Sequence, residues 1–443
     1  MSTRAGGRLG LILWVAALAA TMSAVPPGLA ATDGAEDAAR AVLRKAPAAL
    51  CPQGILEPEA QSESLASALP GYALAGVADQ GEFGLWSRRE IRLENGAEGM
   101  ALVVAAARTG ETLRRVAFEV RDLAADRPIM MALADGDCRL QHARAIRYGP
   151  EGAARDLVLY AADLATVETV EPLNPPVPAG DDPGGVTVAH IDSGVNYLLP
   201  EIARRLARDE SGRPLGRDLW DGDDRPFDGD VRGSPFFPIR HGTPVASVLI
   251  AEAPQVRLLP LRYPRPDMTR MAEAVTVAAA AGADIVALPM GSRNPEDWAS
   301  FAEAAAAHPD LLFVVSAGND GRDIDAAPLY PASLALENMV VVTSSDDFGR
   351  LAPGSNWGAE SVDLMVPAER LEVTDYRGAR GSASGSSYAV PRVAALAARL
   401  KRAHPDWRAA ELKRALFDRA VAPFDRGAPR LAVGWIPNPA DDG

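Results

Sequence analysis

Gly385-Ser386-Ser387-Tyr388-Ala389-Val390-Pro391 stands between a run of small residues, Gly381-Ser382-Ala383-Ser384-Gly385, and an apolar pattern of helical period, Val393, Leu396, Ala397 and Leu400. The spacing predicts a helix from about Ser387 to Ala403. A serine then sits at its N-terminus, where backbone N–H groups lack intrahelical partners and the dipole favours negative charge. Alone, such a serine reads as an N-cap. The same place suits an oxyanion built from an acyl carbon, so Ser387 is a candidate nucleophile with Ser382, Ser384 and Ser386 as rivals.

The chain upstream of this helix alternates apolar strands with alanine-rich helices. Strand candidates are Val186–Ile191, Val256–Leu261, Asp284–Leu288, Leu311–Ser316, Met339–Thr343 and Val362–Val366. Helix candidates run over about Thr243–Ala253, Thr269–Ala281, Pro295–Ala307 and Asp406–Ala420. Continuous apolar strands in this alternation predict an α/β fold, a mostly parallel sheet with helices on both faces. Functional groups in such sheets lie beyond the carboxyl ends of strands. Asp192, in His190-Ile191-Asp192-Ser193-Gly194, ends the first strand, and Asn319, in Ser316-Ala317-Gly318-Asn319-Asp320-Gly321, follows the fourth. His241 opens His241-Gly242-Thr243-Pro244 before a helix. Each has an ordinary reading too: a strand-end turn for Asp192, a surface loop for His241, an Asn-Asp-Gly turn for Asn319. His190, two residues before Asp192, reads as packing on the same strand face.

Taken in order, the Asp, His, Asn and Ser motifs resemble the subtilase family of subtilisin-like serine peptidases, over about residues 186–437. The resemblance implies a subtilisin-like catalytic domain. In it Asp192 orients His241, His241 is general base and acid, Ser387 is the nucleophile, and Asn319 donates to the oxyanion beside the Ser387 backbone N–H. It implies substrate contacts at Met290, Gly291 and Gly318. Leu329, before Tyr330-Pro331-Ala332, falls where the family forms the floor of the pocket for the residue preceding the scissile bond. Leu329 reads equally as core. Asp320 at that rim suggests some tolerance for a basic residue. Ser386 stands where Thr is usual, Tyr388 where Met is usual, Pro244 where His is common, and Pro289 removes an N–H from the substrate-pairing strand. No G-x-S-x-G elbow surrounds Ser387 and no H-E-x-x-H occurs, which sets aside α/β-hydrolase and zincin chemistry. The expectation is a serine endopeptidase acting on protein or peptide; the alternative is a catalytically silent subtilase-like scaffold that binds proteins.

The rest of the chain frames that domain. Arg4 and Arg8, the apolar run Leu9–Ala20 and the small residues of Gly28-Leu29-Ala30 read as a signal peptide over residues 1–30, hence export to periplasm or medium and no lasting membrane insertion. Residues 31–171 read as a small α+β domain, a propeptide or an accessory domain. It has a helix over Asp33–Ala49 and strands at Met100–Ala106, Val116–Val120, Ile129–Leu133 and Leu157–Tyr160. Pro172–Gly185, with five prolines in fourteen residues, reads as a linker. The two cysteines, Cys51 and Cys138, form an even pair in an exported chain and so predict a disulfide. A net charge of −14 and 6% aromatic residues argue against nucleic acid. No cofactor is required. The acidic run Asp221–Asp230 reads as a solvated loop, with a structural calcium ion as the other reading.

Overall fold

The computed structural model describes residues 33–51, 69–83, 86–149, 152–423 and 430–441. The signal-peptide reading of residues 1–30 lies outside them. The chain forms two compact units. One takes in the chain up to Asn174 together with Val231–Pro238; the other takes in Pro175–Asp230 and everything from Ile239 onward.

Among the described residues the first unit is one helix on an antiparallel sheet. Helix α1 (Asp33–Leu50) buries Ala39, Val42, Leu43, Ala46 and Leu50, an i, i+3, i+4 stripe. Eight strands pair as a simple meander, β1 (Ala73–Phe83), β2 (Trp86–Asn95), β3 (Met100–Thr109), β4 (Thr112–Asp122), β5 (Arg127–Asp135), β6 (Leu140–Tyr148), β7 (Ala154–Ala161) and β8 (Val167–Pro172). Alternate residues face α1, such as Leu102, Val104, Phe118, Val120, Met130 and Tyr160. Asn95 Oδ1 accepts from the N–H groups of Ala97 and Glu98 at 3.1 Å each and closes the β2–β3 turn. Cys51, just past α1, and Cys138, in the β5–β6 turn, are joined in a disulfide with Cα atoms 6.3 Å apart.

The opposite face of this sheet holds a second, smaller cluster. Phe236 is fully buried there with Ile146 and Leu157. The Arg144 guanidinium donates to the Phe236 carbonyl at 2.8 Å and lies over the Phe237 ring.

The second unit is built on a parallel sheet. Its elements are β9 (Thr187–Asp192), β10 (Arg217–Asp218), α2 (Gly242–Glu252), β11 (Arg257–Arg262), α3 (Met271–Ala280), β12 (Ile285–Leu288), α4 (Ala299–Ala307), β13 (Leu312–Ser316), β14 (Met339–Ser345), β15 (Leu364–Pro367), the short hairpin β16 (Leu371–Thr374) and β17 (Arg380–Ala383), α5 (Ser386–Ala403), α6 (Ala409–Phe417) and β18 (Gly434–Trp435). The strand order is β10-β11-β9-β12-β13-β14-β15-β18, and every neighbouring pair is parallel. This is the α/β architecture expected: the six expected strands and five expected helices are present with boundaries shifted by a few residues, and the short strands β10, β16, β17 and β18 are additional.

Strand alternation divides the core into two layers. Val188, Ile285, Ala287, Leu312 and Val314 face α2, α5 and α6; Ala189, Ile191, Val286, Phe313 and Val315 face α3 and α4. The chain runs from β9 outward to β11 on one side and then to β12 on the other. The order therefore reverses at β9, so the carboxyl ends of β9 and β12 are where an open α/β sheet places its site. Residues 175–185 carry no regular element but are pinned: the Pro175 carbonyl accepts from the Tyr197 hydroxyl at 2.6 Å and the Pro178 carbonyl from Arg208 at 2.7 Å.

Candidate active site

Asp192 is the last residue of β9 and is almost fully buried. A buried carboxylate is costly without donors. It receives the Ser193 N–H at 2.6 Å, and His241 Nδ1 lies 2.8 Å from both its oxygens. Because a carboxylate accepts, Nδ1 carries the hydrogen and Nε2 is left bare on the open side. Burial pushes the Asp192 carboxyl up, but His241, His190 and the Ser193 N–H outweigh it and hold the group below its ordinary value. Burial likewise pushes the His241 imidazole down; the charge and hydrogen bond of Asp192, with Asp228 and Asp230 behind, outweigh it and raise the net value.

His241 is fixed by the helix it opens. It is the N-cap residue of α2 yet makes no side-chain cap. Ser193 Oγ replaces that cap by accepting from the N–H groups of His241 (3.2 Å) and Gly242 (2.9 Å), and donates in turn to Asp228 at 2.6 Å. The other Asp228 oxygen accepts from the Thr243 N–H at 2.9 Å. Gly242 allows this closeness: a Cβ there would lie 1.9 Å from the Gly194 carbonyl oxygen.

Ser387 lies in the first turn of α5. Its hydroxyl donates to the Pro289 carbonyl at 3.2 Å, and no hydrogen bond joins it to His241 among the described residues. Its backbone N–H likewise has no acceptor among them. Asn319 Oδ1 accepts from the Ser386 N–H at 2.9 Å and the Ser386 hydroxyl at 3.0 Å. A backbone N–H can only donate, so the Asn319 oxygen must face it and the amide NH₂ is turned outward. Gly385 makes this approach possible with φ +124°, since a Cβ would stand 3.0 Å from Asn319 Oδ1. The rival Ser386 is fully buried, bonded to Ser316 Oγ at 2.7 Å and receiving the Gly318 N–H at 3.2 Å. Ser384 accepts from the Arg370 N–H. The Tyr388 ring stands 6.3 Å from that of His241, and burial with the nearby Asp192 and Asp228 pushes its hydroxyl up to about 12, so it stays protonated.

The four residues singled out for substrate contact fall together. Gly291 is exposed, Met290 and Gly318 are half-buried, and Leu329 is buried between the two glycines. A methyl placed on Gly318 would be 2.5 Å from Leu329 Cδ2, and one on Gly291 would be 3.4 Å from it. Leu329 also belongs to the core layer shared with α3 and α4.

Two readings need correction. Asp320 does not make the rim anionic, because Arg293 lies 3.4 Å and Arg322 3.7 Å from its oxygens. The acidic run is solvated only in part: Asp221 and Asp224 are exposed, whereas Asp228 and Asp230 are buried, Asp230 accepts from the Tyr263 hydroxyl at 2.6 Å, and Asp221 shares Arg262 with Asp218. No group of three or more His, Cys, Asp or Glu among the described residues is placed to hold a metal ion. Ser193 and Asp228 were missed as supports of His241; their place beside the Asp192 and His241 motifs was the only signal.

The model of the subtilase family matches residues 184–435, more than half of the chain, and the chain belongs to that family. It is similar to a thermophilic serine proteinase of Bacillus sp. strain AK1, 30% identical over 230 residues, covering 49% of this chain and 52% of the relative. It is also similar to a halolysin-like extracellular serine protease, Nep, of Natrialba magadii, 27% identical over 296 residues, covering 60% and 52%. The matches thus span about half the length of these relatives. Among solved structures, a cold-adapted subtilisin-like serine proteinase matches 60% of this chain and 93% of its own at 24% identity, with a TM-score of 0.47.

Proposed function

We propose that this chain is an exported serine endopeptidase that cleaves peptide bonds through an acyl-enzyme on Ser387. The observation that carries the reading is the buried Asp192–His241 pair, with Nε2 bare, in the same unit as a helix N-terminus bearing Ser387 and an outward Asn319 amide. In the reaction the Ser387 hydroxyl turns from Pro289 to His241 Nε2 and gives up its proton as Oγ attacks the substrate carbonyl carbon. The oxyanion takes hydrogen bonds from the Asn319 amide and the Ser387 N–H, free donors at a helix N-terminus. His241 then delivers the proton to the leaving amine as the C–N bond breaks, and water repeats the cycle to release the acid. Asp192 holds the tautomer and stabilises the imidazolium. Substrate backbone lies along Met290–Gly291 and Gly318, and Leu329 limits the side chain before the scissile bond to small or medium size. The signal-like N-terminus supports export. Among the described residues no helix is long and apolar enough to cross a membrane. The test is labelling by a fluorophosphonate: wild type should be labelled at Ser387 and Ser387→Ala should not. An unlabelled wild type would favour the silent scaffold.

The N-terminal unit is retained in the mature enzyme. Residues 231–238, part of the peptidase sequence, belong to that unit and bury Phe236 against its sheet. Shedding residues 31–171 would return this aromatic surface to water at a cost of about 1.5–3 kcal/mol for Phe236 alone. Intact-mass measurement of exported protein should find one chain beginning near Ala31; a mature chain beginning near residue 172, with no associated fragment, refutes retention.

A further inference from the structure

His190 is a histidine for which the reaction above has no use. It sits in the middle of β9, two residues before Asp192 and on the same strand face, and is 1% exposed. Its strand neighbours in register are Pro260 on β11 and Ala287 on β12, both apolar. An imidazole in such a place is costly unless it is bonded. One ring nitrogen is: Nε2 lies 3.0 Å from the Gly242 carbonyl oxygen and 3.7 Å from Asp192 Oδ2. A carbonyl only accepts, so Nε2 carries the hydrogen and in the neutral ring Nδ1 is bare; Nδ1 has no hydrogen-bond partner among the described residues.

The surroundings define what this N–H faces. The charged or titratable groups near it are Asp192 on its own strand and His241 at the start of α2. Burial pushes the His190 imidazole down, as does His241, while Asp192 and the Gly242 carbonyl oppose, and the net value lies below the ordinary one, which favours the neutral ring. Asp192 Oδ1 already receives the Ser193 N–H, whereas Oδ2 faces only His241 Nδ1 and His190 Nε2. The bonded carbonyl belongs to the residue directly after His241. One N–H therefore binds the helix turn that carries the base and stands 3.7 Å from an oxygen of the acid.

Resting on the catalytic reading of Asp192 and His241, we propose that His190 is a positioning residue for that pair. As the neutral Nε2–H tautomer it anchors the Gly242 peptide, and its dipole tempers the negative potential that Asp192 exerts on His241. It transfers no proton. Without that dipole the His241 imidazolium becomes more stable, and more acid must be removed from solution before the base is free.

The experiment compares the pH profile of kcat/KM for wild type, His190→Val and His190→Gln on a peptide substrate. Val removes the N–H, while the Gln amide nitrogen can reach the Nε2 position. His190→Val should move the acid limb up by about half a pH unit, a loss of about threefold at a fixed pH on the limb. His190→Gln should return the limb toward wild type. Limbs that coincide in all three proteins, with activity falling only as thermal stability falls, would overturn the proposal and leave His190 as packing. Should the Val variant fail to fold, the Gln limb and ¹⁵N NMR of His190 in the wild-type enzyme decide. Nε2 protonated and Nδ1 bare across the whole limb supports the proposal; a proton on Nδ1, or titration alongside His241, overturns it. Fluorophosphonate labelling of Ser387 in wild type is run in parallel, so that failure of the catalytic reading is seen separately.

Discussion

Leu329→Ala separates two roles that one side chain holds at once. Leu329 packs between Gly291 and Gly318, and it is also part of the core layer against α3 and α4. Removing three buried carbons from a core costs about 2–5 kcal/mol. Leu329 is 8% exposed, so its site is not sealed on every side, which argues for the lower end, near 2 kcal/mol. For a unit of this size that is a fall in Tm of roughly 4–8 °C. The same deletion deepens the recess between two residues without side chains. A fit changed by one methylene is worth about 1–3 kcal/mol in kcat/KM. Phe and Tyr before the scissile bond should therefore gain about 10- to 100-fold relative to Ala. A peptide library profiled at 25 °C, well below the lowered Tm, reads the preference without interference from unfolding. A profile that is unchanged while Tm falls by the expected amount would show that Leu329 is core alone and does not line the pocket.

The other expectations concern the base and the first unit. Asp192→Asn should lower kcat by about 10⁴ with the fold intact, because an amide cannot hold His241 in the Nδ1–H tautomer in the same way; near-normal turnover would mean the pair is not catalytic. Asp228→Asn should move the acid limb of kcat/KM to lower pH. The Asp228 charge helps raise the His241 imidazole, and activity is lost as pH falls through that raised value, so removing the charge lets the base stay free in more acid solution; an upward shift contradicts this sign. Replacing Cys51 and Cys138 by Ser opens a loop across a separation of 87 residues, and chain entropy sets the loss of stability at up to about 4–5 kcal/mol. Calorimetry should place that loss in the first unit, and an unchanged Tm for both units argues that the crosslink adds nothing.

The parallel sheet was legible because its strands are buried on both faces. Val186–Ile191 is apolar apart from Thr187 and His190, Leu311–Ser316 is apolar up to its last residue, and helices separate the strands from β9 to β13, so type and order can be read locally there. The antiparallel unit was only half legible. Strands β3, β4, β5 and β7 hold the clearer apolar runs, while β2 (Trp-Ser-Arg-Arg-Glu-Ile-Arg-Leu-Glu-Asn) is charged at every second position from Arg88 to Glu94, and β6 (Leu-Gln-His-Ala-Arg-Ala-Ile-Arg-Tyr) is broken up by Gln141, His142, Arg144 and Arg147. Their period-2 signal is carried by two or three residues each. Nothing local in Ser234-Pro235-Phe236-Phe237 says that it covers the far face of that sheet, because its partners Ile146 and Leu157 lie about 80–90 residues upstream.

The same distinction runs through the site. Asp192, His241, Asn319 and Ser387 each sit in a local frame, a strand end or a helix start, that a reader of sequence can find. Asp228 and His190 do not. One lies in an acidic stretch that looks solvated, the other in a strand that looks like core, and what each does depends on which groups the fold turns toward it. Asp228 meets Ser193 and Thr243, and His190 meets Gly242 and Asp192, so both act on the first turn of α2. That turn is where His241 must be held while its ring alternates between neutral and charged. Three buried polar groups placed on one helix start, two of them ionisable, carry a large desolvation cost that a purely structural helix would avoid with apolar packing. The cost is intelligible if the position and proton affinity of one imidazole are what the surrounding residues are built to set.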